Sequence, residues 1–545
     1  MFANNLTVNS LRLQQQQHRC YNRQRIFGNG NAFAKRHKNG VLTATGTFLV
    51  SFAIYKWHQN KRVVYAFQDS YGKVIDGLQF YSMDDVTKHN SKEKRIWISF
   101  RNGVYDITDF VEQHPGGDKI LMAAGGAVDP FWELYAVHKN PQVLDILEKY
   151  RIGNLKEEDS KRVAAQSNDP YSTDPKRHPA LQPRSDKPYN AEPPVEILVK
   201  NFYTPNELFF VRNHLPVPQV DVDEYELEIE GLGLKKCFTF SLNDLKTKFP
   251  KHTVTQAIQC AGNRRSDMNK IEVVKGLNWG PAAISNAKWT GVRLVDVLRH
   301  CGLNINNEQI KHVQFEGLDL DPAGMPYGAS IPSHLVLDEK SEVILAFEMN
   351  GEEIPKDHGF PIRLIAPGIV GARNVKWLSK VILSEEESHS HWQRRDYKGF
   401  SPNINWDNVN FDNSPSIQDL PVQSAICDPA DGEKVKPDKD GFINVEGYAH
   451  SGGGRKIVRV DVSPDNGKSW ITAELQQEST PLHKTYGWTL WKAKIPVKND
   501  TKKVELICKA VDSSYNTQPE TFAPIWNLRG VLSNAWHRIS VQLNK

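Results

Sequence analysis

The first 68 residues contain no aspartate and no glutamate; Asp69 is the first acid of the chain. Arg12, Arg19, Arg23, Arg25, Lys35, Arg36 and Lys38 stand there among small and polar residues. An acid-free, arginine-rich stretch has the composition of a mitochondrial targeting segment, not of a folded domain. Long hydrophobic runs are lacking too. Val41–Tyr55 is uncharged and mostly apolar, but its 15 residues fall short of the roughly 20 that span a bilayer. It reads as a sorting signal that halts import at the inner membrane and is then cleaved, so that membrane contact is confined to import. An uncleaved anchor is the alternative. Cysteine is sparse: Cys20, Cys237, Cys260, Cys301, Cys427 and Cys508 are widely scattered, with no CxxC pair. That spacing excludes a zinc ribbon and a covalently attached c-type haem, and it sets up no disulfide framework. Free, mostly buried thiols are expected. There is no GxGxxG fingerprint and no Walker A motif, which argues against a nicotinamide, flavin or nucleotide site. A net charge of +4 over 545 residues gives no reason to expect nucleic acid.

The remainder has an ordinary globular composition, 39% apolar and 24% charged, and a length that suggests about three domains. Residues 73–155 read as one small mixed unit. Ile96–Phe100 is a strand, Asn102-Gly103 a turn, Val104–Ile107 the returning strand, and Gln142–Tyr150 a helix. Residues 156–179 (KEEDSK, SNDP, STDPKRHP) lack hydrophobic periodicity and read as a solvated, flexible linker. Residues 180–400 form the largest unit, α+β, with a strand at Tyr225–Ile229 and a helix at Leu294–His300. From 401 to 545 short strands dominate. Val458, Val460 and Val462 alternate with Arg459 and Asp461; Asp465-Asn466-Gly467 makes a hairpin turn; Trp491, Ala493 and Ile495 alternate on another strand; Val504–Val511 is a third. An immunoglobulin-like β-sandwich is expected there.

His114-Pro115-Gly116-Gly117 is followed, 24 residues after the first histidine, by His138 beyond an apolar stretch holding Phe131, Trp132 and Leu134. Glycines allow a flat macrocycle to approach closely. Two imidazoles on one haem iron leave no open position, which suits electron transfer and not oxygen binding. His114 and His138 are therefore the expected axial ligands of a b-type haem. The segment resembles cytochrome b5 over roughly 80 residues.

The second chemical signal is Thr255–Arg265 (TQAIQCAGNRR), a cysteine closing a strand-like run in front of Ala-Gly-Asn and two arginines, a positive setting that favours thiolate. Four further stretches accompany it: Phe210–His214 (FVRNH), Asp357–Arg363 (DHGFPIR), Pro367–Trp377 (PGIVGARNVKW) and His391–Phe400 (HWQRRDYKGF), with Asn527–Gly530 (NLRG) near the other end. Together these resemble the mitochondrial sulfite oxidases, from about residue 73 onwards. The resemblance implies a cytochrome b5-like domain, an α+β molybdenum domain and a C-terminal sandwich that makes a homodimer. It implies Cys260 as the ligand of molybdenum. Phe210, Val211, Arg212, Asn213, His214, Asp319, His358, Arg363, Asn374, Val375 and Lys376 would hold the molybdopterin. Arg212, Arg265 and Arg529 would receive the substrate, beside Trp279 and Tyr397. Arg529 comes from the sandwich, so both large domains would complete one site.

The implied reaction is oxidation of sulfite to sulfate by oxygen-atom transfer at a molybdenum–pterin centre. Electrons then pass one at a time through haem b to cytochrome c, in the mitochondrial intermembrane space. A nitrate reductase is the alternative enzyme, but that family places its haem domain after the molybdenum unit and adds a flavin module. A haem-tethered scaffold without activity would be expected to lack Cys260 or the arginines, and all are present. The linker's reach, on the order of 25 Å for some 20 flexible residues, would let the haem domain swing between partners.

Overall fold

A computed structural model describes residues 71–114, 117–134, 138, 140–166, 169–321, 323–498 and 501–544. The expected targeting segment and Val41–Tyr55 lie outside the described residues. Among those described, no helix is long and apolar enough to cross a membrane.

The Ile96–Phe100 pattern forms its hairpin. Trp97–Phe100 pairs antiparallel with Gly103–Asp106, with Arg101 at a positive φ of 51° in the turn. Arg151–Leu155 and Phe80–Tyr81 extend this to a four-stranded sheet. Ile96, Ile98, Phe100, Tyr105, Ile107 and Val111 pack beneath it against Leu144 and Leu147. Those two leucines belong to the helix Pro141–Glu148, which begins with proline in its first turn and the Asn140 side chain accepting from Gln142 N.

The expected flexible linker is corrected at both of its ends. Glu157–Gln166 is a helix, with Glu157, Glu158 and Asp159 at the positive end of its dipole and a Glu157–Lys161 ion pair one turn apart. It is fastened to the N-terminal unit: Met83 N donates to Asp159 Oδ2 at 2.9 Å, and Ser160 Oγ to Asn102 Oδ1 at 2.5 Å. Residues 169–178 are likewise fixed, onto the middle unit, through Lys187–Asp169, Gln219–Thr173 and Arg177–Asp357. A charged, proline-rich window looks solvated locally; its partners are too far away in sequence for any window to include them.

The middle unit is built on two five-stranded sheets. In one, Lys251–Gln259 pairs antiparallel with Ile284–Arg293, followed by Ile344–Met349, which Glu352–Glu353 and Arg363–Ile365 flank. In the other the order is Pro326–Pro332, His312–Leu320, Leu378–Ser384, Glu226–Gly231, Phe238–Ser241. Leu227 and Ile229 point into the core while their glutamate neighbours do not, the period of two expected of a half-buried strand. A helix spans Leu294–His300, as the periodicity predicts. A small sheet of Gln182–Asp186, Tyr189–Glu192 and Val211–Arg212 lies alongside in sequence order.

The C-terminal unit is a two-layer β structure. Gln423–Asp428, Phe442–His450, Thr489–Pro496 and Glu474–Gln476 form one sheet; Lys434–Val435, His537–Leu543, Lys503–Asp512, Ile457–Ser463 and Ile471–Thr472 form the other. Asn466 and Gly467 both take positive φ in the turn expected at 465–467. One register differs from expectation. A bulge between Ile457 and Arg459 turns Val458 outward, 41% exposed, while Asp461 is buried and paired with Arg459. The boundary expected at 400/401 also shifts, because Ile417 and Leu420 belong to the core of the middle unit.

Candidate functional site

Cys260 follows directly on the strand Lys251–Gln259, whose Val254, Ala257 and Ile258 are buried. A tight turn carries the chain away. Cys260 N donates to Ala283 O at 3.0 Å, Asn263 N to Cys260 O at 2.9 Å, and Gly262 N to the Cys260 sulfur at 3.4 Å. The C-terminal unit grips this turn. Asn263 Nδ2 donates to Tyr448 Oη at 2.8 Å, and Arg264 Nη1 to Ser424 O at 3.0 Å and Ala535 O at 2.8 Å. Leu532 N donates to Ala261 O at 2.8 Å. Arg264, fully buried and at a φ of 61°, thus serves as an internal anchor and Arg265 remains for the site.

Cys260 lines a partly open cavity of about 70 Å³. Of the residues expected from sequence, the structure brings Phe210, Arg212, His214, Cys260, Asp319, His358, Arg363, Asn374, Lys376 and Tyr397 to its wall. Val211 and Val375 are instead packed in cores. Asn213 sits behind the wall, its amide donating to Asp357 Oδ1 at 2.9 Å. Trp279 is fully buried beside Phe210, edge to face at 6.4 Å. The Arg265 side chain is held by donation to Gly530 O at 3.0 Å and Leu277 O at 2.8 Å. Arg529 is drawn to Asp396, with Nη2 donating to Oδ1 at 2.9 Å. Sequence reasoning missed Phe209 and Tyr327. Tyr327 lies on the strand Pro326–Pro332 and donates to Ala372 O at 2.7 Å; only the topology puts that strand beside the loop.

Much of the wall is apolar, and its charged groups are mainly cationic: Arg212, Arg363 and Lys376 against Asp319. Arg363 is buried, donates to His358 O at 2.8 Å and Asn374 O at 3.0 Å, and is pulled down by burial to about 9. Burial likewise lowers Lys376, whose Nζ donates to Arg212 O at 3.0 Å and Asp357 O at 2.7 Å. Burial raises the Asp319 carboxyl, and its Oδ1 has no hydrogen-bond partner among the described residues. His358 is lowered by burial to about 4, so it is a neutral imidazole whose Nε2 donates to Asn206 O at 3.1 Å. Tyr397 is kept protonated by burial and lies 2.7 Å from His214 Nε2. A thiol for a soft metal, three cations for phosphate, and a carboxyl oxygen able to accept from an N–H-rich ring form a donor set that fits a metal–pterin phosphate.

In the N-terminal unit the ring centres of His114 and His138 lie 6.4 Å apart, with the ring planes within 13° of parallel. Two metal–nitrogen bonds of about 2 Å each, extended to the ring centres, require a similar spacing. Trp132 stacks on His138 at 5.4 Å, and Phe110 meets His114 edge-on at 5.9 Å, an aromatic lining suited to a porphyrin. Pro115, Gly116 and Tyr135–Val137 lie outside the described residues.

These features define a class: a molybdopterin oxidoreductase joined to a cytochrome b5-like electron carrier. Comparison with known proteins agrees segment by segment. Residues 82–156 match the Cytochrome b5-like Heme/Steroid binding domain, 214–392 the Oxidoreductase molybdopterin binding domain, and 414–544 the Mo-co oxidoreductase dimerisation domain. The chain is 56% identical to "Sulfite oxidase, mitochondrial" of Drosophila melanogaster, over 86% of this chain and 81% of that protein. It is 51% identical to the Homo sapiens protein of the same name, over 88% of each. Among solved structures it is similar to the sulfane dehydrogenase SoxCD from Paracoccus pantotrophus, with a TM-score of 0.54 at 26% identity, covering 68% of this chain and 87% of that one. The chain belongs to the sulfite oxidase family.

Proposed function

We propose that the cavity beside Cys260 is where this enzyme oxidises sulfite to sulfate, with Cys260 as the molybdenum ligand. The observation that carries the reading is one cavity lined by a thiol, Arg212, Arg363, Lys376 and an unpartnered Asp319 oxygen. Arg363 and Lys376, the cations of the wall, would hold the phosphate of the pterin, and the unpartnered Asp319 oxygen would accept from its ring nitrogens. When bound, the molybdenum cofactor supplies the oxygen-atom and two-electron chemistry.

The protein's part is to bind and orient an anion. Arg265, pulled down by burial to about 10, stays charged at neutral pH, and its electrostatic neighbours are Cys260, Tyr397, Arg529 and Arg212. That set brings three guanidinium groups from separate segments to one anion-binding region, where low dielectric strengthens them. Tyr397, held protonated, adds a neutral donor. Trp279 acts indirectly, by fixing Phe210 in the wall. His114 and His138 would hold haem b, which would supply a one-electron path from this site to cytochrome c. The homodimer forms through the C-terminal unit. The enzyme is mitochondrial, and we place it in the intermembrane space, where cytochrome c is met; the acid-free residues 1–68 would carry it there.

Sulfite-dependent reduction of cytochrome c by the wild type and by Cys260→Ser tests this reading. The variant is expected to lose the activity while its haem absorbance is unchanged. Full activity in the variant would sink the assignment, and nitrate supplied together with a chemical electron donor is expected to yield no nitrite.

A further inference from the structure

Residues 169–178, read from sequence as linker, lie against the wall of the pterin cavity. Arg177 donates from Nε to Asp357 Oδ2 at 2.8 Å and from Nη2 to Asp357 Oδ1 at 2.9 Å, a two-pronged grip on one carboxylate. Nη2 also reaches Asp174 Oδ2 at 2.7 Å, and the guanidinium lies 4.4 Å from the Tyr189 ring centre. Asp174 Oδ1 in turn accepts from Val217 N at 3.2 Å, and Thr173 O accepts from Gln219 Nε2 at 3.0 Å. The segment is therefore pinned at several points, and its strongest pin is on a buried acid that borders the cavity.

Asp357 is the shared partner. Its carboxylate holds Arg177 and the Asn213 amide; its carbonyl accepts from Lys376 Nζ at 2.7 Å; and the next residue, His358, lines the cavity. Lys376 is tied to the same cluster through Asn213 Oδ1. Although burial works against the charge, the Arg177 bonds hold the Asp357 carboxyl below the usual carboxylate range. Without Arg177 a buried carboxylate would be left unpaired, with the Lys376 ammonium the next cation within its reach.

We propose that Arg177 is a positioning residue for the pterin: it occupies the Asp357 carboxylate, so that Lys376 stays on the cavity wall, bonded to Arg212 O, Asn213 Oδ1 and Asp357 O, and is not drawn back to that carboxylate; residues 169–178 act as a strap that is fastened most firmly when the cofactor is bound. This rests on the reading of the cavity given above. The strap also continues, in sequence, the helix Glu157–Gln166 that is fastened to the haem-binding unit. The chain that joins the two redox units is thereby anchored at the wall of one of them. Cofactor occupancy and anchoring of the strap are then two ends of one linkage and must strengthen each other equally.

Full-length protein from a cofactor-competent host tests this by its molybdenum and pterin content per haem and by the rate of pterin release. Arg177→Gln and Arg177→Lys are expected to release pterin about 10–100-fold faster than wild type, with haem absorbance unchanged. Lysine is not a rescue here, because it cannot reproduce the fork. Adding Asp357→Asn to Arg177→Gln is expected to restore most of the retention, since the amide no longer draws Lys376 away, and the exchange comparison below separates this from a merely structural ion pair. In the wild type, amides of 171–178 are expected to exchange more slowly with pterin bound than in protein from a cofactor-deficient host. Release from Arg177→Gln at the wild-type rate, or strap exchange indifferent to pterin, overturns the proposal while the cavity reading stands. Should Arg177→Gln not fold, Arg177→Lys and the wild-type exchange comparison decide alone. Wild type without any pterin would sink the cavity reading and the strap together.

Discussion

Arg265 owes its position to three glycines. A side-chain carbon added at Gly262 would fall 2.5 Å from its Nη2, one at Gly276 2.8 Å from its Cζ, and one at Gly530 2.9 Å from its Nε. Gly276 has in addition a φ of 141°, which other residues rarely adopt. Gly276→Ala is therefore expected to displace the Arg265 guanidinium while Cys260 and the cofactor stay in place. A displacement near 1 Å costs on the order of 10²-fold in kcat/KM, and molybdenum content should be unchanged. Steady-state sulfite kinetics beside metal analysis check this; normal kinetics in the variant would show that Arg265 does not receive the substrate. At this scale the sequence is a partial guide. The Cys260–Arg265 string is contiguous and stands out by itself. The glycines that shape its surroundings lie far along the chain and resemble any other loop glycine.

At the scale of elements, the strand Phe442–His450 carries a pH-dependent load. His450 is buried, its Nδ1 has no partner among the described residues, and burial lowers it to about 4. An unfolded histidine titrates near its ordinary value of about 6.5. Between those values the unfolded chain binds a proton that the folded strand refuses, so stability falls as the pH drops from about 6.5 towards 4 and is fully present above that window. The loss from this one group approaches about 3 kcal/mol. Urea unfolding followed at several pH values should show this slope in the transition of the C-terminal unit, and His450→Gln should make it shallower, leaving the part due to His537, which burial lowers to about 3. An equal slope in both proteins would assign the acid sensitivity elsewhere. Elements of this kind were legible wherever periodicity was clean, as in Leu294–His300 or the Trp491-Ala493-Ile495 face. They were misread where one extra residue broke the register, as at Val458, since a bulge answers to its partner strand and not to its own sequence.

At the scale of the molecule, the join between the redox units differs from a loose tether of some 20 residues. Glu157–Gln166 is fastened on one side and 169–178 on the other, so the units have little chain to turn about unless these contacts break. Inserting a short Gly-Ser stretch after Gln166 is expected to change the rate of haem reduction by sulfite in rapid mixing, while the spectra of both centres stay normal. An unchanged rate would mean that reorientation does not limit electron transfer. Domain order was legible because each unit has its own signature. The anchoring was not, because Arg177 and Asp357 are 180 residues apart.

The grip on the Cys260 turn spans a longer interval still, with Arg265 bonded to the carbonyl of a residue 265 positions later. During synthesis the turn therefore emerges on the order of tens of seconds before its partners exist. Whatever delivers the cofactor meets an unfinished wall until those later strands have been made and folded back. If Cys260 is the metal ligand proposed above, loading is a late event in the life of the chain, and a truncated or stalled product would carry the thiol without the wall around it.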